Sequence, residues 1–258
     1  MTEMRPLILI SNDDGVEAKG LTTLVDAVRE FGDIVVMSTD TNASGKAHSI
    51  TGHAPLTVNC IKEEDGLKIY TCNGTPADCV NLGESFFCNR RPALVLSGIN
   101  HGSNASINVI YSGTMGAAVE ATINGYDAVG FSLLSMDSDA DFSCCVPFIK
   151  KIVADVLKNG LPKGMSLNVN IPYLPFQEIK GMKVCRQADG LWLDSYENRP
   201  DPVTGKDLWW LTGKFECPDR ADDTDIWALD HGYVSVVPTR PDYTDYDRIK
   251  EMQIRFNQ

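Results

Sequence analysis

Four consecutive branched aliphatics, Leu7-Ile8-Leu9-Ile10, stop abruptly at Ser11-Asn12-Asp13-Asp14-Gly15. An apolar run without alternation reads as a strand buried on both faces, the kind found at the centre of a parallel sheet. Leu21, Leu24, Val25 and Val28 then recur at helical spacing up to Gly32, and Ile34-Val35-Val36-Met37 reads as a second buried strand. Residues 38–51 are small and polar, a long loop. Residues 56–58 and 67–70 flank Glu63-Glu64-Asp65-Gly66 and predict a β-hairpin. Thr75-Pro76 starts a helix, with Thr as N-cap and Pro at the first helical position. A strand over 93–96 ends in Ser97-Gly98-Ile99-Asn100, a helix follows over 115–123, and a further strand over 128–133. Strands alternating with helices predict a parallel, three-layer α/β sheet.

The second half reads differently. Residues 142–157 suggest a long helix and 166–172 a strand. Short strand-like runs over 182–187, 208–212 and 233–237 are separated by Pro, Gly and acidic residues, and 246–256 reads as a short terminal helix. No linker, low-complexity tract or internal repeat divides the 258 residues, which favours one elaborated domain.

The chemistry sits where these strands end. Two adjacent carboxylates, Asp13 and Asp14, at the carboxyl end of a central parallel strand lie where open α/β sheets place ligands. Side by side and partly dehydrated they repel, so a positive group belongs between them, and a hard cation such as Mg²⁺ or Mn²⁺ fits. The same residues would also serve a plain Asx turn. Ser44-Gly45 and Asn100 with Asn104 follow other strand ends, so neutral oxygens from Ser44 and Asn100 can join the carboxylates. Ser112-Gly113-Thr114 at a helix start offers backbone N–H groups to phosphate, although Ser112 also suits an ordinary N-cap. His48 and His53 lie five apart in the polar loop, where one of them can face a substrate.

Composition narrows the classes. Net charge is −12, which argues against a broad footprint for nucleic acid or anionic membrane while leaving room for a small phosphorylated ligand. No apolar stretch approaches the roughly 20 residues that span a bilayer, and no cleavable signal opens the chain, so a cytoplasmic location is expected. The eight cysteines include no Cys-x-x-Cys pair, which disfavours zinc and predicts reduced, buried thiols. No Gly-x-Gly-x-x-Gly follows the first strand, and Gly45-Lys46 lacks the rest of a P-loop. A response-regulator receiver would need a phosphorylatable Asp where this chain has Val58-Asn59-Cys60.

In order along the chain, Asn12-Asp13-Asp14-Gly15, Ala43-Ser44-Gly45, Gly74-Thr75-Pro76-Ala77-Asp78-Cys79-Val80, Ser97-Gly98-Ile99-Asn100-x-Gly102-x-Asn104, Tyr111-Ser112-Gly113-Thr114, Asn168-Val169-Asn170-Ile171-Pro172 and Gly232-Tyr233-Val234-Ser235-Val236 resemble the SurE (survival protein E) family. The resemblance implies a Rossmann-like α/β core with β-hairpin elaborations and a C-terminal tail helix. It also implies a single domain over 1–258, with a core over about 5–187 and an oligomerisation hairpin and tail over about 188–258. It implies a metal-dependent phosphatase acting on nucleoside 5′- and 3′-monophosphates, and also on short polyphosphate. One divalent cation per subunit would be held by Asp13, Asp14, Ser44 and Asn100. Asn104, Ser112, Gly113 and Thr114 would hold the phosphate, with Asn12 and His48 as further candidate substrate contacts. A homodimer or homotetramer through exchanged C-terminal segments is implied as well. One stretch departs from the pattern: Ala105-Ser106-Ile107-Asn108-Val109-Ile110 stands where the family commonly carries Gly-Asp-Asp.

The expected reaction is phosphomonoester hydrolysis. Attack comes either from a water that a carboxylate deprotonates, with Asp13 favoured as the base, or from Asp13 itself through an aspartyl-phosphate. The same cradle would also suit a non-catalytic nucleotide sensor or a Mn²⁺-dependent sugar-nucleotide transferase. Phosphate release from a nucleoside monophosphate separates the three.

Overall fold

The computed structural model describes residues 5–85 and 90–257. Eleven strands and six α-helices follow one another as β1 (Leu7–Ser11), α1 (Lys19–Val28), β2 (Asp33–Thr39), β3 (Val58–Glu64), β4 (Leu67–Cys72), α2 (Pro76–Ser85), β5 (Leu94–His101), α3 (Gly113–Ile123), β6 (Ala128–Leu133), α4 (Val146–Asn159), β7 (Ser166–Ile171), β8 (Met182–Val184), β9 (Leu191–Asn198), β10 (Trp209–Glu216), α5 (Asp225–Asp230), β11 (Val234–Thr239) and α6 (Ile249–Phe256). Nine strands form one sheet in the order β3-β4-β2-β1-β5-β6-β7-β11-β8, and β9 pairs with β10 as a separate hairpin. The sheet is parallel from β4 to β7. β3 joins β4 antiparallel, β11 joins β7 antiparallel, and β8 runs alongside β11.

The unbroken aliphatic runs are buried on both faces because each strand feeds two cores. Ile8, Ile10, Ile34, Val36, Leu94 and Leu96 turn to one face, packed with the apolar stripes of α1 and α4. Leu7, Leu9, Val35, Met37 and Val95 turn to the other, with residues of α2 and α3. This alternation is the period-2 geometry of the strand. The chain leaves β1 for β2 on one side and later returns to β5 on the other. The carboxyl ends of β1 and β5 therefore flank a topological switch point, where such sheets bind ligands.

The helix expected over 142–157 starts later: Ser143–Cys145 is a 3-10 turn and α4 begins at Val146, with Pro147 in its first turn. The strand expected over 233–237 runs further, since Pro238 sits inside β11 opposite Leu167. β8 ends at Val184, so the missing N–H of Pro238 leaves no ladder bond unmade on that side. Cys60 is exposed on β3, correcting the expectation of uniformly buried thiols. Cys72, Cys79, Cys144, Cys145, Cys185 and Cys217 are free and buried, and Cys88 lies outside the described residues. No helix among the described residues is long and apolar enough to cross a membrane.

Candidate active site

Beyond β1 the chain folds on itself through Asn12, whose Nδ2 donates to Gly15 O at 2.8 Å while its Oδ1 accepts from Ser38 Oγ at 2.6 Å. Both polar ends of Asn12 thus hold the acidic turn in place. Ala43 N donates to Asp13 O at 2.8 Å, which ties the loop after β2 to that turn. The tie brings Ser44 within 3.5 Å of Asp14, Oγ to Oδ1. Asp14 Oδ2 accepts from His101 N at 3.2 Å, at the end of β5.

β5 reaches that position through an irregularity. Its register against β6 shifts between Ser97 and Asn100, and the Gly98–Ile99 peptide is cis. Gly98 has φ +117°, and a Cβ there would lie 2.3 Å from Phe131 O, so only glycine fits. Past the shift, Asn100 faces the cleft with its Nδ2 donated to Gly102 O at 2.9 Å, which leaves its amide oxygen for a cation. Asn104 is fixed from below by β6 and β7. Its N donates to Asn170 Oδ1 and its Nδ2 to Ser132 Oγ, each at 2.8 Å, while Asn168 Nδ2 donates to Asn104 O at 2.8 Å. Asn168, Asn170 and Ser132 form this support. The signal for it was present in the sequence as two asparagines, two residues apart, in an otherwise buried strand.

Ser112 caps α3, its Oγ accepting from Met115 N at 3.0 Å. The helix start presses on Asp13: a Cβ on Gly113 would lie 2.8 Å from Asp13 Oδ2. Thr114 is fully buried and donates its hydroxyl to Asp13 Oδ1 at 2.7 Å. Thr114 was expected at the phosphate as part of the helix start; its hydroxyl pairs with the Asp13 carboxylate, while its main chain forms the first turn of α3. His48 lies outside the cleft lining; its Nε2 is 2.6 Å from Glu120 Oε2, and it borders a neighbouring recess of about 440 Å³ shared with Ser112 and Gly116.

Asp13, Ser44, Asn100, Asn104 and Ser112 line one cleft of about 700 Å³, and Asp14 stands between Ser44 and His101 at its edge. Asp13 is only 3% exposed. Burial raises its pKa to about 6, the Thr114 hydroxyl opposes the rise, and the charge of Asp14 adds to it. Burial likewise raises Asp14, against the His101 N–H. Two dehydrated carboxylates are thus held together with a hydroxyl and an amide oxygen. This all-oxygen donor set fits a hard divalent cation, which would supply the charge the pair lacks.

Sequence reasoning missed the far wall. Trp192 from β9 lines the same cleft, together with Tyr111, Leu134 and Met136. Ser106 Oγ donates to Ala188 O and Ser106 N donates to Asp225 Oδ2, both at 2.8 Å, and Asp225 Oδ1 accepts from Ala188 N at 2.9 Å. The buried Asp225 therefore joins the 3-10 turn Ser106–Ile110, the root of the β9–β10 hairpin and α5.

The survival protein SurE family model matches residues 8–194. The 5′-nucleotidase SurE of Christiangramia forsetii is 52% identical over 254 residues, covering 98% of this chain and 97% of that protein. The 5′-nucleotidase SurE of Flavobacterium johnsoniae is 49% identical over 253 residues, with 98% and 97% covered. The crystal structure of the SurE protein from Aquifex aeolicus superposes with a TM-score of 0.83 at 37% identity, covering 97% of this chain and 99% of that one. A shared architecture, and near-complete alignment at about half identity, place the chain in the SurE family.

Proposed function

We propose that this chain is a divalent-cation-dependent nucleotidase that hydrolyses nucleoside 5′- and 3′-monophosphates, and short polyphosphate, to release inorganic phosphate. The observation that carries the reading is the pairing of buried Asp13 with half-buried Asp14, completed by Ser44 and Asn100 beside the start of α3. The named relatives, 5′-nucleotidases, support it.

Asp13, Asp14, Ser44 and Asn100 would hold one Mg²⁺ or Mn²⁺, which supplies positive charge to the phosphoryl oxygens as negative charge gathers there. Asn104, Ser112 and the first turn of α3 at Gly113–Thr114 face the anion, where the helix dipole favours negative charge. Thr114 acts through Asp13, fixing which carboxylate oxygen is free for the reaction. Asp13 takes the proton of the attacking water, and the leaving alkoxide of the nucleoside is protonated from solvent across the open cleft. The dry wall behind Asp13 strengthens every charge interaction at the phosphoryl group.

The subunits associate through the hairpin and tail, as a homodimer or homotetramer. β9–β10 is a lone two-stranded ribbon, marginal by itself in water, and it exposes Tyr196, Trp209, Trp210 and Leu211; α6 buries none of its residues.

The test is phosphate release from AMP and GMP. EDTA abolishes it, Mg²⁺ or Mn²⁺ restores it, and Asp14→Ala lowers it by about 10²–10³. Full activity in chelator, or faster cleavage of bis(p-nitrophenyl) phosphate than of AMP, overturns the reading.

A further inference from the structure

Trp192 stands where three cavities meet. It lines the catalytic cleft of about 700 Å³ with Asp13 and Ser44. With Tyr111, Leu211 and Gly213 it lines a recess of about 460 Å³, and with Lys214 and Arg220 a third of about 690 Å³. The residue is 42% exposed and carries a large flat apolar ring at a polar site. Several contacts hold it there. Its Nε1 donates to Asn108 Oδ1 at 2.7 Å, and its ring packs on Phe215, the residue opposite in the ladder, with centroids 5.7 Å apart. The main-chain oxygen of Asn108 accepts from Tyr111 N at 3.1 Å, closing the 3-10 turn that leads to the second aromatic of the cleft. Asn108, which holds the Trp192 ring, lies in the stretch 105–110 where this chain departs from the usual family pattern. Behind it, Asp225 locks Ser106 and Ala188 together, so the 3-10 turn and the hairpin root hold Trp192 as one unit.

We propose that Trp192 is the nucleobase platform of this site and Asn108 its positioning residue. The inference rests on the phosphomonoesterase reading above, and it names the part of the substrate that the reading leaves unassigned. A nucleoside monophosphate is an anion joined to a flat aromatic ring, and this cleft offers oxygen ligands and a helix start at one wall and an indole face at another. Because the indole N–H is committed to Asn108, the ring face alone is offered. Recognition is therefore by stacking rather than by reading the edge of the base, which every base satisfies. Purine monophosphates are accordingly preferred over pyrimidine ones only by the larger area of their rings.

The experiment compares AMP with ribose 5-phosphate, which keeps the phosphate and sugar and lacks the base, on the Mn²⁺-loaded full-length protein. In the wild type AMP has the lower KM. Trp192→Ala raises the KM for AMP about tenfold and shrinks the AMP advantage in kcat/KM by the same factor, while Trp192→Phe, which keeps a stacking face, recovers most of it. Equal losses on both substrates, or an unchanged KM for AMP, overturn the proposal. If the wild type releases phosphate from neither substrate, the nucleotidase reading falls by itself. The platform is then decided by calorimetric binding of AMP and ribose 5-phosphate to wild type and Trp192→Ala. A wild type that binds both equally, or an AMP affinity the substitution does not change, refutes it.

Discussion

Replacing Asp13 with Asn should stabilise the metal-free protein while destroying its activity. The carboxyl of Asp13 rises from the ordinary aspartate value of 3.8 to about 6, chiefly because it is buried. Below pH 3.8 it is protonated in both folded and unfolded chains and contributes nothing. Between pH 3.8 and 6 the folded state keeps a proton that the unfolded chain has released, so stability falls as pH rises. Above pH 6 the full penalty stands. At 1.36 kcal/mol per pH unit it comes to about 3 kcal/mol. Asn is of similar size, carries no charge and can still accept from Thr114, so Asp13→Asn should remove that penalty above pH 6 and change little near pH 4. Urea unfolding in EDTA across pH 4–8 measures the difference. With a slope of about 3 kcal/mol per molar urea, the variant midpoint should move up by about 1 M at pH 7.5. Mn²⁺ at a hundred times its Kd should then raise the wild type by about 2.7 kcal/mol, closing most of the gap, and leave the variant where it was. A stability difference that is constant across this pH range would refute the reasoning.

Thr114→Val keeps the shape of a buried side chain and removes the hydroxyl from Asp13 Oδ1. Calorimetry should show Mn²⁺ affinity about 10–100-fold weaker, as for other groups that orient a metal ligand, with little change in helix content by circular dichroism. Truncation after Thr239 keeps all of β11 and removes the exposed tail. Light scattering should show a smaller species or aggregate, and an unchanged size would show that the tail does not hold subunits together.

The parallel core was readable because burial on both faces leaves a chemical trace, unbroken apolar runs at residues 7–10, 34–37 and 93–96. The site was readable in part for a related reason. Polar residues that interrupt such runs at strand ends converge once the sheet is parallel, and Asp13, Ser44 and Asn100 did so. The role of Thr114 was hidden, because a hydroxyl at a helix start serves a phosphate or a carboxylate equally well by sequence. β9 was hidden for another reason. Its residues are exposed on both faces, so no core imposes alternation on Leu191–Asn198. Asp225 is a buried acid in a six-residue helix, and its partners lie 119 and 37 residues away, beyond any local pattern.

The register break in β3 has a bearing on how the molecule meets its neighbours. β3 is an outer strand, and its pairing with β4 slips between Cys60 and Lys62, with Lys62, Glu63 and Glu64 exposed beyond the slip. A kinked, charged rim presents no straight row of donors and acceptors for another strand to copy. At the opposite rim β8 has three residues, too few to template much pairing. The main sheet is therefore blunted at both ends, and among the described residues the strand edges left open to another chain are those of the β9–β10 ribbon. Mutational work meant to improve solubility should start on that ribbon, since its edges are the ones without such protection.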